Sequence, residues 1–164
     1  AALRTGLSLV SGQYVVIQDS DLEQHPSDYP QLVRPLVDGV ADVVYGSRFP
    51  DRRRLPGQYR MHFFANRFLT GLSNKMTGLH LTDMETGYKA FRREVLSDME
   101  IEEDRFGVEP EITAKVSIGG WRITEVRVSY APRSFLSGKK IGWRDGVRAV
   151  YCIFKYSLRQ EPKQ

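Results

Sequence analysis

The run Tyr14-Val15-Val16-Ile17, closed by Asp19-Ser20-Asp21, constrains this chain more than any other feature. A β-branched run bounded by Gly12 before it and by acids after it reads as a buried strand. Carboxylates one residue apart at the end of such a strand sit where open α/β sheets bind ligands. Asp19 and Asp21 can lean toward one hard cation, with Glu23 placed to join them. Phosphate oxygens would then complete the shell of an ion such as Mg²⁺. The competing reading is a solvated turn in which Asp21 caps the next helix.

At 164 residues the chain suits one domain with a real core. No apolar stretch approaches the length that spans a bilayer, and no secretory signal is visible. The single cysteine, Cys152, excludes an internal disulfide and fits a reducing, cytoplasmic compartment. Its neighbours Val150, Tyr151, Ile153 and Phe154 make it a packed thiol rather than a nucleophile. The net charge is only +4, but the basic residues are clustered. Arg48, Arg52, Arg53, Arg54 and Arg60 crowd one stretch; Arg133, Lys139, Lys140 and Arg144 crowd another. Such loops attract phosphates, anionic membranes or nucleic acid. For Arg52 to Arg54 a merely solvated surface is an equal reading.

Along the chain, helix and strand patterns alternate, which defines an α/β protein. A helix over 1–10 precedes the first strand. Another is expected over 29–38, with Leu32, Val33, Leu36 and Val37 on one face, Pro35 disturbing it and Gly39 ending it. A second strand follows over 42–47. After a loop rich in proline and glycine, Met61, Phe64, Phe68 and Leu72 recur at helical spacing up to about Lys75. A strand near 87–91, a short helix over 92–99 and a helix over 109–118 come next. The strand over 121–130 loses its alternation at Glu125-Val126, which predicts a bulge or bend. Trp143, Val147, Val150, Tyr151, Phe154 and Leu158 make an apolar stripe on a terminal helix. That stripe reads as a core face in preference to a membrane contact.

Three clusters join the acids. Gly46-Ser47-Arg48-Phe49 ends the second strand, where Arg48 could reach a phosphate. Thr82-Asp83-Met84-Glu85-Thr86-Gly87 leads into a later strand, and could equally be a turn capped by Asp83. The segment from Arg133 to Lys140 is a basic loop with a glycine hinge that could close over an anion.

With these motifs in order, the chain resembles the family 2 glycosyltransferases, close to the dolichyl- and polyprenyl-phosphate sugar (mannose or glucose) synthases. The matching stretches are QDSDLEQHPSDYPQLVRPL, ADVVYGSRF, FANRFLTGLSN, LTDMETGYKAFRREV, RFGVEPEITAKV and VSYAPRSFLSGKKIGWRDG. The resemblance implies the C-terminal part of a GT-A, Rossmann-like domain: a mixed, mostly parallel sheet flanked by helices. One partial domain over 1–164 is expected, with the metal and donor side in 1–50, the acceptor side in 51–130, and the basic loop and terminal helix in 131–164. Asp19, Asp21 and Glu23 would bind Mg²⁺ or Mn²⁺ at the donor diphosphate. Arg48, Arg133, Lys139 and Lys140 would contact substrate phosphates. Asp83 would lie beside the acceptor and, with Arg48, serve catalysis. The implied reaction is inverting transfer of a hexose from a GDP-mannose- or UDP-glucose-type donor to a polyprenyl or dolichyl phosphate at the membrane surface. Nucleic acid is not an expected partner.

Family members begin with a base-binding portion that this chain lacks, so the isolated chain is expected to be inactive or weak. The first strand would then be an exposed edge, inviting self-association. Two other classes stay open on the residues alone. One is a haloacid-dehalogenase-like phosphatase with Asp19 as nucleophile. The other is a non-catalytic basic fragment that binds membranes or nucleic acid.

Overall fold

One strand running against three others positions the rest of the molecule. The structure, a computed structural model, describes residues 2–49, 60–97, 99–131 and 142–159. The elements run α1 (Ala2–Ser8), β1 (Tyr14–Ile17), α2 (Tyr29–Val37), β2 (Val43–Ser47), α3 (Arg60–Thr77), β3 (Lys89–Arg92), α4 (Arg93–Ser97), α5 (Val108–Ile118), β4 (Ile123–Arg127) and α6 (Trp143–Ser157). The described strands form one sheet in the order β1-β3-β2-β4. β3 is antiparallel to both β1 and β2, while β2 and β4 are parallel. The sheet is mixed, as expected. β1, β2 and β4 share a direction, yet of the described ladders only β2·β4 is parallel.

Register converts this order into a site. Lys89, the first residue of β3, lies across from Ile17 on one side and Tyr45 on the other. Ser47 pairs with Arg127 at the same end. The carboxyl ends of β1, β2 and β4 therefore share one rim with the loop that enters β3. The acids after Ile17, Arg48 after Ser47 and the 82–88 loop are neighbours by construction.

Alternation along each strand divides the core between two faces. Val15, Ile17, Val43, Tyr45, Phe91 and Ile123 pack toward Leu69 and Leu72 of α3, Ile112 and Val116 of α5, and Ile153 of α6. Tyr14, Val16, Val44, Ala90, Val126 and Val128 pack on the other face against Leu32 and Leu36 of α2. Gly39, with φ +69°, ends α2 as expected. Val37 does not join the buried face; it is solvent-exposed beyond Leu36. Cys152 is buried against Ala114 and Tyr156, as its neighbours implied.

Three patterns in the sequence resolve differently in the fold. β4 holds register with β2 from Ile123 to Arg127 without interruption, so there is no bulge at Glu125. Glu125 is instead a polar residue on the inner face, where its carboxylate accepts the backbone N–H groups of Thr82 and Asp83. On α3, Met61, Phe64 and Phe68 face solvent, with Phe68 65% exposed, and only Leu72 of that row packs inward. The helix turns Asn66, Thr70 and Ser73 inward because its side chains hold the 82–84 loop. On α6, Trp143, Val147, Tyr151, Phe154 and Leu158 are exposed, and Ala149, Cys152, Ile153 and Tyr156 are buried.

The orientation of α6 is set by charge. Glu103, 5% exposed, accepts from Arg148, Lys155 and the Tyr156 hydroxyl. Glu102 accepts from Lys155 and Arg159. Arg4 of α1 donates to the carbonyls of Ile101, Glu102 and Glu103, tying the first helix to the same segment. Burial works to raise the Glu103 pKa, but the hydrogen bonds from Arg148, Lys155 and Tyr156 overcome it and hold it at about 2. Because the folded value lies below the unfolded one, this contribution is present above pH 4.5 and lost as pH falls toward 2. Replacing Glu103 with Gln should cost about 2–3 kcal/mol at neutral pH. In denaturant titrations across pH the difference from the parent should shrink to nothing near pH 2.

Candidate active site

The acidic loop after β1 is pinned at several points. The Asp19 carboxylate lies directly over Gly87, where a Cβ would come within 2.3 Å of Oδ2. A side chain there would displace that carboxylate. Leu22 takes φ 62°, a left-handed conformation uncommon for a branched side chain. That bend lets the Glu23 N–H donate to Asp21 Oδ1 at 3.1 Å. Glu23 is buried; its carbonyl accepts the Ala131 N–H at 2.8 Å, and its carboxylate accepts the Tyr130 hydroxyl at 3.4 Å. The segment after β4 thus holds the acids in place.

These residues line a cleft of about 430 Å³. Asp19, Asp21, Glu23 and Arg48 all reach it, so the structure brings together four of the expected site residues. Among the described residues no three Asp, Glu, His or Cys side chains form a ready-made metal cage. The donor chemistry still fits a hard divalent cation, with Asp19 and Asp21 supplying carboxylate oxygens and the cleft leaving room for ligand oxygens. Arg133, Lys139 and Lys140 lie outside the described residues, as do Arg52 to Arg54.

Asp83 pairs with Arg48 at the exit of β2. It is 0% exposed and does not line the cleft. Its carboxylate accepts from the Arg48 backbone N–H at 3.0 Å, Arg48 Nε at 2.7 Å, Arg48 Nη2 at 2.8 Å and Asn66 Nδ2 at 2.7 Å. Burial pushes its pKa up, but the Arg48 charge and these bonds bring it below the ordinary carboxylate range. Its oxygens accept from four donors among the described residues, and through two of them it orients the Arg48 guanidinium. It is a positioning residue. The bidentate pair also fixes Arg48, whose guanidinium carbon lies 5.1 Å from the Phe49 ring centre and 5.4 Å from that of Tyr130. Burial disfavours the Arg48 charge, yet the Asp83 carboxylate raises its pKa further still.

A second acidic group in the cleft carries no expected role from the sequence. Glu85 and Glu109 both line it. Burial raises the pKa of each; Glu109 raises that of Glu85 further and Asp19 that of Glu109, while Lys89 and Arg48 lower both in part. Lys89, 1% exposed in its side chain, pairs with Glu109 and donates to the Thr86 carbonyl. It also lies 4.8 Å from the Tyr45 ring centre. Sequence reading passed over Glu109 because an acid in the first turn of a helix is ordinary. Glu85 sat inside a motif whose other acid drew attention, and only the fold shows which of them faces the cleft.

The family model described as "Glycosyl transferase family 2" matches residues 1–99. The chain therefore belongs to glycosyl transferase family 2. It is similar to glycosyltransferase AglJ of Haloferax volcanii, 33% identical over 125 residues, covering 76% of this chain and 40% of that protein. It is also similar to the undecaprenyl-phosphate mannosyltransferase of Micrococcus luteus, 29% identical over 167 residues, covering 96% and 65%. Among solved structures, glucosyl-3-phosphoglycerate synthase from Mycobacterium tuberculosis in complex with UDP superposes with a TM-score of 0.68 at 21% identity. That match covers 95% of this chain and 53% of the other. The same enzyme in complex with Mn²⁺, UDP-glucose and phosphoglyceric acid gives 0.66 at 22%, covering 95% and 53%. The fold is that of GT-A glycosyltransferases, and the chain spans about half the length of these relatives. The phosphatase alternative is thereby replaced. No described helix is long and apolar enough to cross a membrane.

Replacing Asp83 with Ala should destabilise the chain by about 3–5 kcal/mol, because it strands a buried guanidinium. Adding Arg48→Met should recover much of that loss in the same denaturation measurement. A cost under about 1 kcal/mol for the single variant would contradict the positioning role.

Proposed function

We propose that this chain carries the diphosphate-binding side of an inverting, metal-dependent hexosyltransferase, one that moves a hexose from a nucleotide-sugar to a polyprenyl phosphate. The observation that carries the reading is the convergence of Asp19, Asp21 and Arg48 on one cleft at the rim shared by β1 and β2. Asp19, Asp21 and Glu23 are the residues that would hold Mg²⁺ or Mn²⁺. When bound, the ion would offset negative charge on the departing nucleoside diphosphate.

The chain's own residues do the remaining work. Breaking the bond between the anomeric carbon and the diphosphate oxygen builds negative charge on the leaving group. Arg48, locked by Asp83 and held against Phe49 and Tyr130, offers a fixed positive charge whose orientation costs nothing at the moment of reaction. Attack from the opposite face inverts the anomeric centre. A lipid phosphate oxygen is already anionic at neutral pH, so the acceptor needs no strong general base. That agrees with an Asp83 whose oxygens accept from Arg48 and Asn66. Arg133, Lys139 and Lys140 are proposed to contact the donor and acceptor phosphates.

The acceptor class is supported by the undecaprenyl-phosphate mannosyltransferase relative. Exposed apolar rows on two helices support placement at a membrane surface: Met61, Phe64 and Phe68 on α3, and Trp143, Val147, Tyr151, Phe154 and Leu158 on α6. β1 ends the described sheet, which supports self-association along that edge.

Calorimetric titration of the full-length protein with UDP-glucose and with GDP-mannose, with and without Mn²⁺, tests the reading. One donor should bind in a Mn²⁺-dependent manner, and Asp21→Ala should weaken it at least tenfold. Binding indifferent to both metal and the substitution would overturn the proposal.

A further inference from the structure

Glu85 occupies an unusual position in the cleft. The residues on both sides of it are held inward. Asp83 is taken by Arg48 and Asn66, and Met84 is fully buried with its N–H on Thr70 Oγ1. Thr86 donates its hydroxyl to the Gly46 carbonyl and accepts the Tyr88 N–H. With its neighbours anchored, Glu85 alone of the 83–86 stretch lines the cleft. Its Oε1 is buried and has no hydrogen-bond partner among the described residues. A buried polar atom without a partner is costly, and such atoms are rare in folded proteins.

The charges around Glu85 do not neutralise it. Burial raises its pKa first, Glu109 and Asp83 raise it further, and Lys89 and Arg48 lower it only in part; it stands at about 8. Lys89 pairs with Glu109 and Arg48 with Asp83, and neither forms an ion pair with Glu85 among the described residues. A carboxyl accepts a hydrogen bond in either protonation state, and donates one as well when protonated. Its natural counterpart is a hydroxyl, which both donates and accepts. A phosphate, acceptor-only and anionic, belongs beside Arg48 instead.

We propose that Glu85 is a specificity-determining residue that hydrogen-bonds a hydroxyl of the transferred sugar. The assignment rests on the nucleotide-sugar reading of the same cleft and deepens it: Asp19, Asp21 and Arg48 address the diphosphate, while Glu85 addresses the hexose. A site built to satisfy a buried polar atom discriminates strongly against a ligand that cannot reach it.

The test compares the sugar-bearing donor with its bare diphosphate on the full-length protein in Mn²⁺. UDP-glucose and UDP form one pair of probes, GDP-mannose and GDP the other. For whichever pair binds, Glu85→Ala should weaken the nucleotide-sugar about tenfold and leave the nucleoside diphosphate within twofold. Glu85→Gln, which keeps a donor and an acceptor, should stay close to the parent for both. Retained diphosphate binding shows that each variant is folded. Equal loss on sugar and diphosphate, or no loss on either, would overturn the role of Glu85 while leaving the nucleotide reading intact. Failure of the parent to bind any of the four probes would overturn that reading, and this assignment with it.

Discussion

The buried Asp83 carboxylate is the tie on which this site depends. It joins the exit of β2 through the backbone and guanidinium of Arg48 to α3 through Asn66. Glu125 of β4 accepts the Asp83 N–H, and Thr70 of α3 accepts the N–H of Met84. The loop entering β3 is therefore fastened to two strands and a helix before it delivers Glu85 and Gly87 to the cleft. Gly87 in turn leaves room for Asp19. Buried ion pairs often contribute little net stability, because desolvation offsets their attraction. What this one supplies is position, since Arg48 has a single orientation relative to the acids.

That role explains the composition of α3. A helix facing a sheet normally turns its apolar row inward. Here the inward row over the loop is Asn66, Thr70 and Ser73, and three large apolar residues are left outside. α6 repeats the pattern, with its inner face chosen by the network around Glu102 and Glu103. Both helices spend their polar side chains on fixing loops and present apolar rows outward.

Much of the fold was legible in the sequence. The residue pattern locates each described strand and α-helix to within a few residues but not the 3-10 turns Pro26–Asp28 and Arg105–Gly107, and it marks the acids after β1, Arg48 after β2 and the 82–87 motif. Periodicity could not reveal which apolar row of α3 or α6 is buried, because that is decided by hydrogen bonds to segments far away in the chain. The break in alternation at Glu125 was a real signal with the wrong cause: a carboxylate serving the neighbouring loop looks, in sequence, like a bulge. Asp83 and Glu85 could not be told apart in sequence for a similar reason. Two acids two residues apart look equivalent until the fold shows that one meets Arg48 and Asn66, and the other meets the cleft.

The central claim is that Asp19 and Asp21 join Arg48 around the diphosphate of a nucleotide-sugar. Crystals of the full-length protein grown with Mn²⁺ and the nucleoside diphosphate it binds, measured at the manganese absorption edge, test it most directly. The account predicts an anomalous peak at about 2.0–2.3 Å from carboxylate oxygens of Asp19 and Asp21, with the phosphates lying toward Arg48. A manganese site away from these acids, or a diphosphate bound outside the cleft, would contradict it.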